Sequence, residues 1–255
     1  MAEFVWLRYG DNLPAVAVAQ LLLRRSGQNL AADGAYGGIT TGAVRAFQSA
    51  RGLSPDGVIG QQTWPRLRSN ESLPILDCID VFDPDLYTSE YAHITGTGGN
   101  PIVLGGMCNG IEQAVNMIRA RAGNLFLLRF HGHGAPGRAG ASMGHGEDAA
   151  GHRAEWNRSP AVMSALARLR GVFGPYGCIQ FMHCKTGHGQ EGLRFLRAVA
   201  DRVGVPATGG LLDQYAGNLR ETLRYEGPTR TVYPGGVTAR TWAAGLPQFA
   251  GFTPA

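Results

Sequence analysis

Two copies of one short loop lie 23 residues apart near the amino end, and they limit the possible fold of this region more than any other sequence feature. The copies are Asp33-Gly-Ala-Tyr-Gly-Gly-Ile-Thr40 and Asp56-Gly-Val-Ile-Gly-Gln-Gln-Thr63. In each copy Asp-Gly favours a tight turn, the later glycine permits a positive φ, and the threonine suits the cap of a helix. The sequence therefore predicts two similar turns, each leading into a helix.

Three short helices are predicted around these loops, because apolar residues recur there with helical period. They span Pro14 to Arg25, Thr40 as cap to the residue before Gly52, and Gln61 to Arg68. Residues 69–74 are polar and end in proline, as expected at a domain boundary. We therefore expect a small all-α domain over residues 1–70 and a second domain over residues 71–255.

The first seventy residues resemble the three-helix peptidoglycan-binding domain found on many bacterial wall hydrolases. The matching segments within residues 13–68 are V-A-x-A-Q-L-L-L, D-G-A-Y-G-x-x-T-x-x-A-V-x-x-F-Q and G-L-S-P-D-G-V-I-G-x-x-T-W. The resemblance implies a groove that binds peptidoglycan near the two loops. Tyr36 and Arg45, which we expect to be exposed, are candidates for contact with a glycan, and the other motif residues are expected to be structural.

Beyond residue 74 the pattern changes to strands that alternate with helices. Strands are predicted at Leu76 to Phe82, Leu125 to Phe130, Cys178 to His183 and Val205 to Thr208, and helices at Gly110 to Ala122, Ala161 to Arg170 and Glu191 to Val203. This alternation predicts an α/β domain with three layers and a mostly parallel sheet. The chain from Tyr225 onward shows little periodicity and is expected to be an irregular tail.

Reactive side chains follow two of the predicted strands. One strand leads into His131-Gly-His133-Gly134, and another into His183-Cys-Lys-Thr-Gly187. Active groups of open α/β sheets gather beyond the carboxyl ends of the strands. If the two strands are neighbours, a histidine and Cys184 meet at one edge, where an imidazole can take the proton of a thiol.

These segments resemble the caspase-like cysteine peptidases, and most closely their CHAT-type branch, in which G-H-G carries the histidine and S-A-C-x-T-G the nucleophile. The 51 residues from His133 to Cys184 agree with the interval of about 50 residues noted for caspases. The resemblance implies a caspase-like fold, a polypeptide substrate and no cofactor or metal. It assigns Cys184 as nucleophile, His133 as acid and base, and the N–H groups of Gly134 and Cys184 as oxyanion donors. His183 departs from the small residue usual at its position, and the caspase pentapeptide is absent.

Several alternatives remain open from the sequence. His131 competes with His133 for the role of base, Lys185 could stabilise a thiolate by its charge, and Cys184 could be a buried structural thiol. Six of the seven histidines lie between residues 131 and 188, so a zinc-dependent peptidoglycan amidase is a second hypothesis, although no H-E-x-x-H occurs. Besides His131, His133 and His183, the candidate metal ligands considered in this region are His145, Glu147, Asp148, His152 and His188. A third hypothesis is a non-enzymatic component that anchors a phage tail or injection particle to the wall.

Composition excludes some partners and leaves location open. The formal charge is +4 without any block of basic residues, so we expect no nucleic-acid partner. The longest apolar stretch, Val16 to Leu23, is far short of the roughly 20 residues that cross a bilayer, so we expect no membrane partner. The amino end predicts no secretory signal, so we expect a cytoplasmic protein or export by a non-classical, lytic or particle-based route. The cysteines at positions 78, 108, 178 and 184 have no C-x-x-C spacing and are expected to be reduced.

Overall fold

The chain folds into two compact units. The computed structural model describes residues 4–81, 84–104, 110–140, 153–155, 160–214 and 223–249. One unit consists of Phe4–Leu73 together with the chain from Val237 onward, and the other consists of Pro74–Gly236. The chain passes from one unit to the other between Leu73 and Pro74 and returns at Val237, whereas the sequence predicts a single boundary at residue 70.

The amino-terminal unit is built on three helices: α1 (Pro14–Arg25), α2 (Gly38–Ala50) and α3 (Thr63–Arg68). Helix α1 has the predicted bounds, and ten of its twelve residues are buried. Phe47 of α2 and Trp64 of α3 are also buried, as predicted. Short bridges pair Leu7 with Ile59 and Asn12 with Ala35, so the segment before α1 is held against both loops.

The second unit contains an α/β core with two sheets. Its strands are β1 (Ile75–Asp80), β2 (Ile102–Leu104), β3 (Leu125–His131), β4 (Gly134–Ala135), β5 (Arg138–Gly140), β6 (Arg153–Glu155), β7 (Phe173–Met182), β8 (Ala207–Gly210) and β9 (Thr229–Val232). Its helices are α4 (Pro84–Gly96), α5 (Gly110–Arg121), α6 (Pro160–Ala167) with a 3₁₀ turn at Arg168–Gly171, α7 (Gly189–Val203) and a 3₁₀ turn at Pro234–Gly236.

Within the described residues the main sheet has six strands in the order β2-β1-β3-β7-β8-β9. All neighbours are parallel except β8 and β9, so the prediction of a mostly parallel sheet is confirmed. Strands β4, β5 and β6 form a separate antiparallel sheet, which begins directly after β3.

The two faces of the main sheet differ in chemistry. One face carries residues such as Phe130 and Phe181, which pack against α5, α6 and α7 in the apolar core. Successive strand residues point to opposite faces, so Arg129 and His131 lie on the other face. There Glu90 of α4 contacts His131, which places α4 over that face. Helices therefore lie on both faces, as the alternating pattern predicts.

The last described helix, α8 (Ala239–Ala244), belongs to the amino-terminal unit and contacts α1. The expectation of an irregular tail from Tyr225 is wrong here, because β9, α8 and a 3₁₀ turn lie in this part of the chain. Six helical residues are too few to show a period, and Ala243 is the buried residue of this helix. None of the described helices combines the length and apolar character needed to cross a bilayer.

Candidate active site and wall-binding domain

The two reactive segments leave the sheet side by side. Strands β3 and β7 are parallel neighbours, and His131 at the end of β3 is paired with Met182 at the end of β7. The segment from Gly132 and the segment from His183 therefore emerge at the same edge of the sheet. The sequence predicts that the two segments meet at one edge only if these strands are neighbours, and the two strands are neighbours.

The thiol of Cys184 is half-buried at this edge. Its sulfur accepts a hydrogen bond from the backbone N–H of Gln214 at 3.3 Å and lies 3.4 Å from the carbonyl oxygen of the same residue. The two other cysteines among the described residues, Cys78 and Cys178, are buried free thiols. Burial raises the pKa of Cys178 to about 12, which keeps that thiol protonated and unreactive. Cys108 lies outside the described residues.

Lys185, next to Cys184, has an unusual backbone and an ion-pair partner. Its φ is 52°, in the left-handed region that side chains other than glycine rarely adopt. Its ammonium nitrogen lies 2.7 Å from a carboxylate oxygen of Asp213, and both side chains are partly exposed. The charge of Lys185 is therefore directed at Asp213.

His133 is exposed and begins a hairpin that is fastened to the cysteine-bearing loop. The carbonyl of His133 accepts a hydrogen bond from the N–H of Gly140, which closes the hairpin of β4 and β5. The N–H of Gly137 donates to the carbonyl of Thr186, and the hydroxyl of Thr186 donates to the carbonyl of Arg138. Because Thr186 lies two residues after Cys184, these bonds hold the two reactive segments against each other.

Gly134 packs too tightly for any larger residue. A methyl group at this position would lie 2.6 Å from Cβ of His183 and 2.8 Å from the hydroxyl oxygen of Thr186. Both distances are below van der Waals contact. The glycine that follows His133 therefore rests on the residues that flank Cys184.

His131 has a different environment from His133. It is buried, with Nε2 2.7 Å from Asp77 and Nδ1 3.2 Å from Glu90. Burial by itself lowers the pKa of His131, but Glu90 and Asp77 outweigh burial and raise the pKa to about 9. Arg129 forms a two-pronged ion pair with the same Asp77. His131 is thus a buried cation between two carboxylates.

His183 is a third kind of histidine. It is fully buried, and its Nε2 lies 2.6 Å from the carbonyl oxygen of Gly140, so Nε2 carries the proton and donates it to this bond. Burial lowers the pKa of His183 to about 3, against the opposing effect of the bond to Gly140. The ring is therefore neutral at physiological pH. This bond could not be predicted from the sequence, because the two residues lie 43 positions apart.

Two glutamines organise the repeated loops of the amino-terminal unit, and sequence analysis did not single them out. The amide nitrogen of Gln20 lies 3.0 to 3.1 Å from Asp33 Oδ1, the Ala35 carbonyl and Thr40 Oγ1, and its oxygen accepts from the N–H groups of Asp33 and Gly34. Gln48 makes the equivalent bonds to Asp56, Gly57, Val58 and Thr63. Each glutamine lies in a helix ahead of an Asp-Gly turn, 13 residues before Asp33 and 8 residues before Asp56, and this was the available indication.

The expected capping role of the threonines is wrong. The N-cap residues of α2 and α3 are Gly37 and Gln62, and neither helix has a side-chain cap bond. The hydroxyls of Thr40 and Thr63 instead bond to Gln20, Gln48 and carbonyls within the loops. The threonines stabilise the loops and not the first turns of the helices.

Of the two candidate glycan contacts, one is buried. Tyr36 is 2% exposed, and its hydroxyl donates to the carbonyl of Gly57 at 2.8 Å, so the expectation that it is exposed is wrong. Burial raises the pKa of Tyr36, and Asp11 and Asp56 raise it further. Arg45 is exposed and lies against the second loop, where a methyl group on Gly57 would be 3.0 Å from Arg45 Nε.

The six histidines between residues 131 and 188 make a metal site one of the hypotheses from the sequence. Among the residues that the structure describes, no group of three or more His, Cys, Asp or Glu side chains is placed to hold a metal ion. His188 is exposed, and its Nδ1 lies 3.2 Å from the carbonyl of Leu211. His145, Glu147, Asp148 and His152 lie outside the described residues.

Comparison with known proteins identifies the amino-terminal unit. Residues 12–67 match the family model of a putative peptidoglycan binding domain. No functionally curated protein matches the chain.

Three solved structures are similar to part of the chain. A peptidoglycan-binding protein from Clostridioides difficile, in complex with glutamine hydroxamate, is 40% identical over 24% of this chain and 39% of that one, with a TM-score of 0.24. A Burkholderia AP3 phage endolysin is 35% identical over 34% and 32%, with a TM-score of 0.25. An L,D-transpeptidase (residues 123–326) from Xylanimonas cellulosilytica is 33% identical over 31% and 43%, with a TM-score of 0.25. The chain covers less than half of each of these proteins. The family match shows that residues 12–67 form a domain of the putative peptidoglycan-binding family.

Proposed function

We propose that this protein is a caspase-like cysteine peptidase whose amino-terminal domain binds peptidoglycan. The observation that carries the proposal is the pairing of β3 with β7, which brings the segments of His133 and Cys184 to one edge of the sheet. The half-buried thiol and the exposed imidazole at this edge are accessible to a substrate. The family match of residues 12–67 supports peptidoglycan as the partner of the other unit.

In the proposed reaction the imidazole of His133 takes the proton of the Cys184 thiol, and the sulfur attacks the carbonyl carbon of a peptide bond. The carbonyl oxygen becomes an oxyanion in the tetrahedral intermediate. Collapse of the intermediate breaks the C–N bond, and the leaving amine takes the proton from the imidazolium. Water, deprotonated by the same imidazole, then hydrolyses the thioester and restores the thiol.

The backbone geometry supports Gly134 and Cys184 as the oxyanion donors. Hydrogen-bonded and non-hydrogen-bonded pairs alternate along an antiparallel ladder. Because the N–H of Gly140 bonds to His133, the next pair, Gly134 with Ala139, is of the non-hydrogen-bonded kind. The N–H of Gly134 therefore points away from β5. Within the described part of the chain, the N–H of Cys184 has no hydrogen-bond acceptor. Fixed donors of this kind stabilise an oxyanion without reorganisation.

The environments of the histidines favour His133 as the base. A base must be able to lose its proton near neutral pH and reach the thiol. Both ring nitrogens of His131 face carboxylates, and its raised pKa keeps it protonated. The ring of His183 is enclosed and donates to Gly140. His133 is exposed at the edge of the sheet from which the segment of Cys184 also emerges.

The proposed substrate is a polypeptide near the cell wall, because the resembled clan cleaves polypeptides. The experiment incubates the protein with a denatured protein substrate and with purified sacculi, and compares it with Cys184→Ala and His133→Ala. Each substitution should lower the rate of hydrolysis by about 10³-fold or more, since each removes a group that acts in the transition state. Cys178→Ala and His188→Ala are the matched controls and should retain activity.

Inhibitors separate the proposal from its alternatives. Iodoacetamide should abolish hydrolysis, and chelators should leave it intact. The reverse result would replace the peptidase with a zinc-dependent amidase. Binding to sacculi without hydrolysis, unchanged in both active-site variants, would instead indicate a wall-anchoring component.

A further inference from the structure

His183 links the two reactive segments through a single residue, Gly140. The carbonyl of Gly140 accepts the hydrogen bond from His183 Nε2, and the N–H of Gly140 donates to the carbonyl of His133. One ring, directly before Cys184, is thus connected to the backbone of His133 through one intervening residue. The two bonds are 2.6 and 2.9 Å long, and the first is slightly shorter than the usual N–H···O distance of about 2.7 to 3.2 Å.

The side chain of His183 lies against both glycines that flank His133. A methyl group at Gly132 would lie 3.4 Å from His183 Nε2 and 3.1 Å from the Gly140 carbonyl oxygen. A methyl group at Gly134 would lie 2.6 Å from His183 Cβ. The ring of His183 also packs 6.1 Å from the ring of Phe181, which anchors it to the apolar core. The turn that carries His133 therefore packs directly against His183.

The cost of the arrangement indicates that the ring does more than fill space. The Nδ1 atom of His183 is buried and has no hydrogen-bond partner among the described residues. A buried polar atom without a partner costs roughly 1–3 kcal/mol, and an apolar side chain would avoid that cost. The bond from Nε2 to Gly140 is what an apolar side chain could not supply.

We propose that His183 is a positioning residue for the pair of Cys184 and His133, an inference that rests on the proposed function. Its Nε2–H holds the carbonyl of Gly140 and so fixes the hairpin that carries His133 against the loop that carries Cys184. The residue acts through Gly140 and does not touch the reacting atoms. Burial lowers the pKa of the ring, so it stays neutral at physiological pH, and its one proton lies on Nε2, which faces the Gly140 carbonyl.

The test uses the full chain with four substitutions. His183→Phe fills the space but has no donor, and His183→Gln restores a donor. His188→Phe is the matched control, because it removes a histidine that also faces a backbone carbonyl, that of Leu211, but does not face the hairpin. His133→Ala reports on the catalytic pair alone. Two rates are measured: amide hydrogen exchange at Gly140, and alkylation of Cys184 by iodoacetamide, followed by mass spectrometry.

In His183→Phe we expect exchange at Gly140 to be about 10-fold faster and alkylation of Cys184 to slow to the rate of His133→Ala. His183→Gln should restore both rates to within about threefold, and His188→Phe should change neither. Native exchange at Gly140 in His183→Phe would overturn the proposal, as would slow alkylation that the Gln variant does not restore.

The two proposals fail in different ways. If His133→Ala is alkylated as fast as the unmodified protein, the catalytic pair is refuted. If His133→Ala is slow but His183→Phe is not, only the positioning role is refuted. A measurement without substitution covers the case in which His183→Phe does not fold. Nitrogen-15 NMR should find the Nε2–H form of His183 from about pH 5 to about pH 9, and a ring that titrates in this range would overturn the proposal.

Discussion

At the scale of residues, three histidines within 53 positions differ in charge because their surroundings differ. His131 lies between two carboxylates and is a cation, whereas His183 lies under a hairpin and is neutral. His133 is exposed between them in sequence. The exposed ring of His133 lies on the segment that emerges beside that of Cys184, and the proposed function therefore assigns it as the base.

The raised pKa of His131 predicts how stability depends on pH. In the unfolded chain this histidine has an ordinary pKa of about 6.5, so between about pH 6.5 and about pH 9 the folded protein binds more protons than the unfolded one. The stabilisation from its ion pairs is complete below that window and is lost as the pH rises through about 9. We expect the free energy of unfolding of the α/β unit to fall by on the order of 2–3 kcal/mol across the window.

Urea denaturation at a series of pH values measures this effect. His131→Gln should have a flatter dependence in the same window, because it lacks the titrating group. Equal slopes in the two proteins would show that His131 does not cause the dependence.

At the scale of elements, each repeated loop is held by one glutamine of the preceding helix. The amide of Gln20 makes five hydrogen bonds to its loop, and it is 1% exposed. We predict that Gln20→Leu lowers the free energy of unfolding of the amino-terminal unit by about 2–4 kcal/mol, since loop N–H groups lose their acceptor. Amide hydrogen exchange in urea, resolved to α1 and α2, measures the change.

Gln62→Leu is the control for that prediction. Its side chain is exposed and makes no cap bond, so the change should stay within about 0.5 kcal/mol. Equal effects of the two substitutions would mean that the loops hold their shape without the buried amide.

At the scale of the whole molecule, the carboxyl-terminal segment completes the amino-terminal unit. Helix α8 contacts α1, Ala243 and Leu246 are buried, and the guanidinium of Arg25 lies 5.3 Å from the centre of the Phe249 ring. Ending the chain after Gly236 should therefore weaken the amino-terminal unit and leave the α/β unit unchanged. Leu246→Ala should lower the stability of the same unit by about 2–3 kcal/mol.

Val237→Ala is the matched control, because Val237 is 40% exposed. Calorimetry, with hydrogen exchange to assign each transition to a unit, measures the stability of each unit in the shortened chain and in the two variants. A shortened chain whose amino-terminal unit unfolds at the native temperature would contradict the prediction.

The sequence by itself determined the type of most long elements, because period and turn residues are local properties. Helix α1 has the predicted bounds, β3 extends one residue beyond its prediction, and α5 ends one residue before it. Short or weakly periodic elements were missed, among them α4, β2 and α8, since three to six residues carry no period and the apolar residues of α4 do not recur on one face. The match of residues 12–67 to a wall-binding family also rests on local motifs.

Only the tertiary structure decided the environment of each side chain, because burial and charge depend on residues far apart in the chain. Asp77 and Glu90, which lie 54 and 41 positions from His131, make that histidine a cation. The carbonyl of Gly57 accepts the hydrogen bond of the Tyr36 hydroxyl, 21 positions away. The pairing of β3 with β7 likewise brings the segments that carry His133 and Cys184, 51 positions apart, to one edge of the sheet. The sequence identified the candidate reactive groups. The packing around the sheet determined which side chains are exposed or buried, and which histidines are neutral or charged.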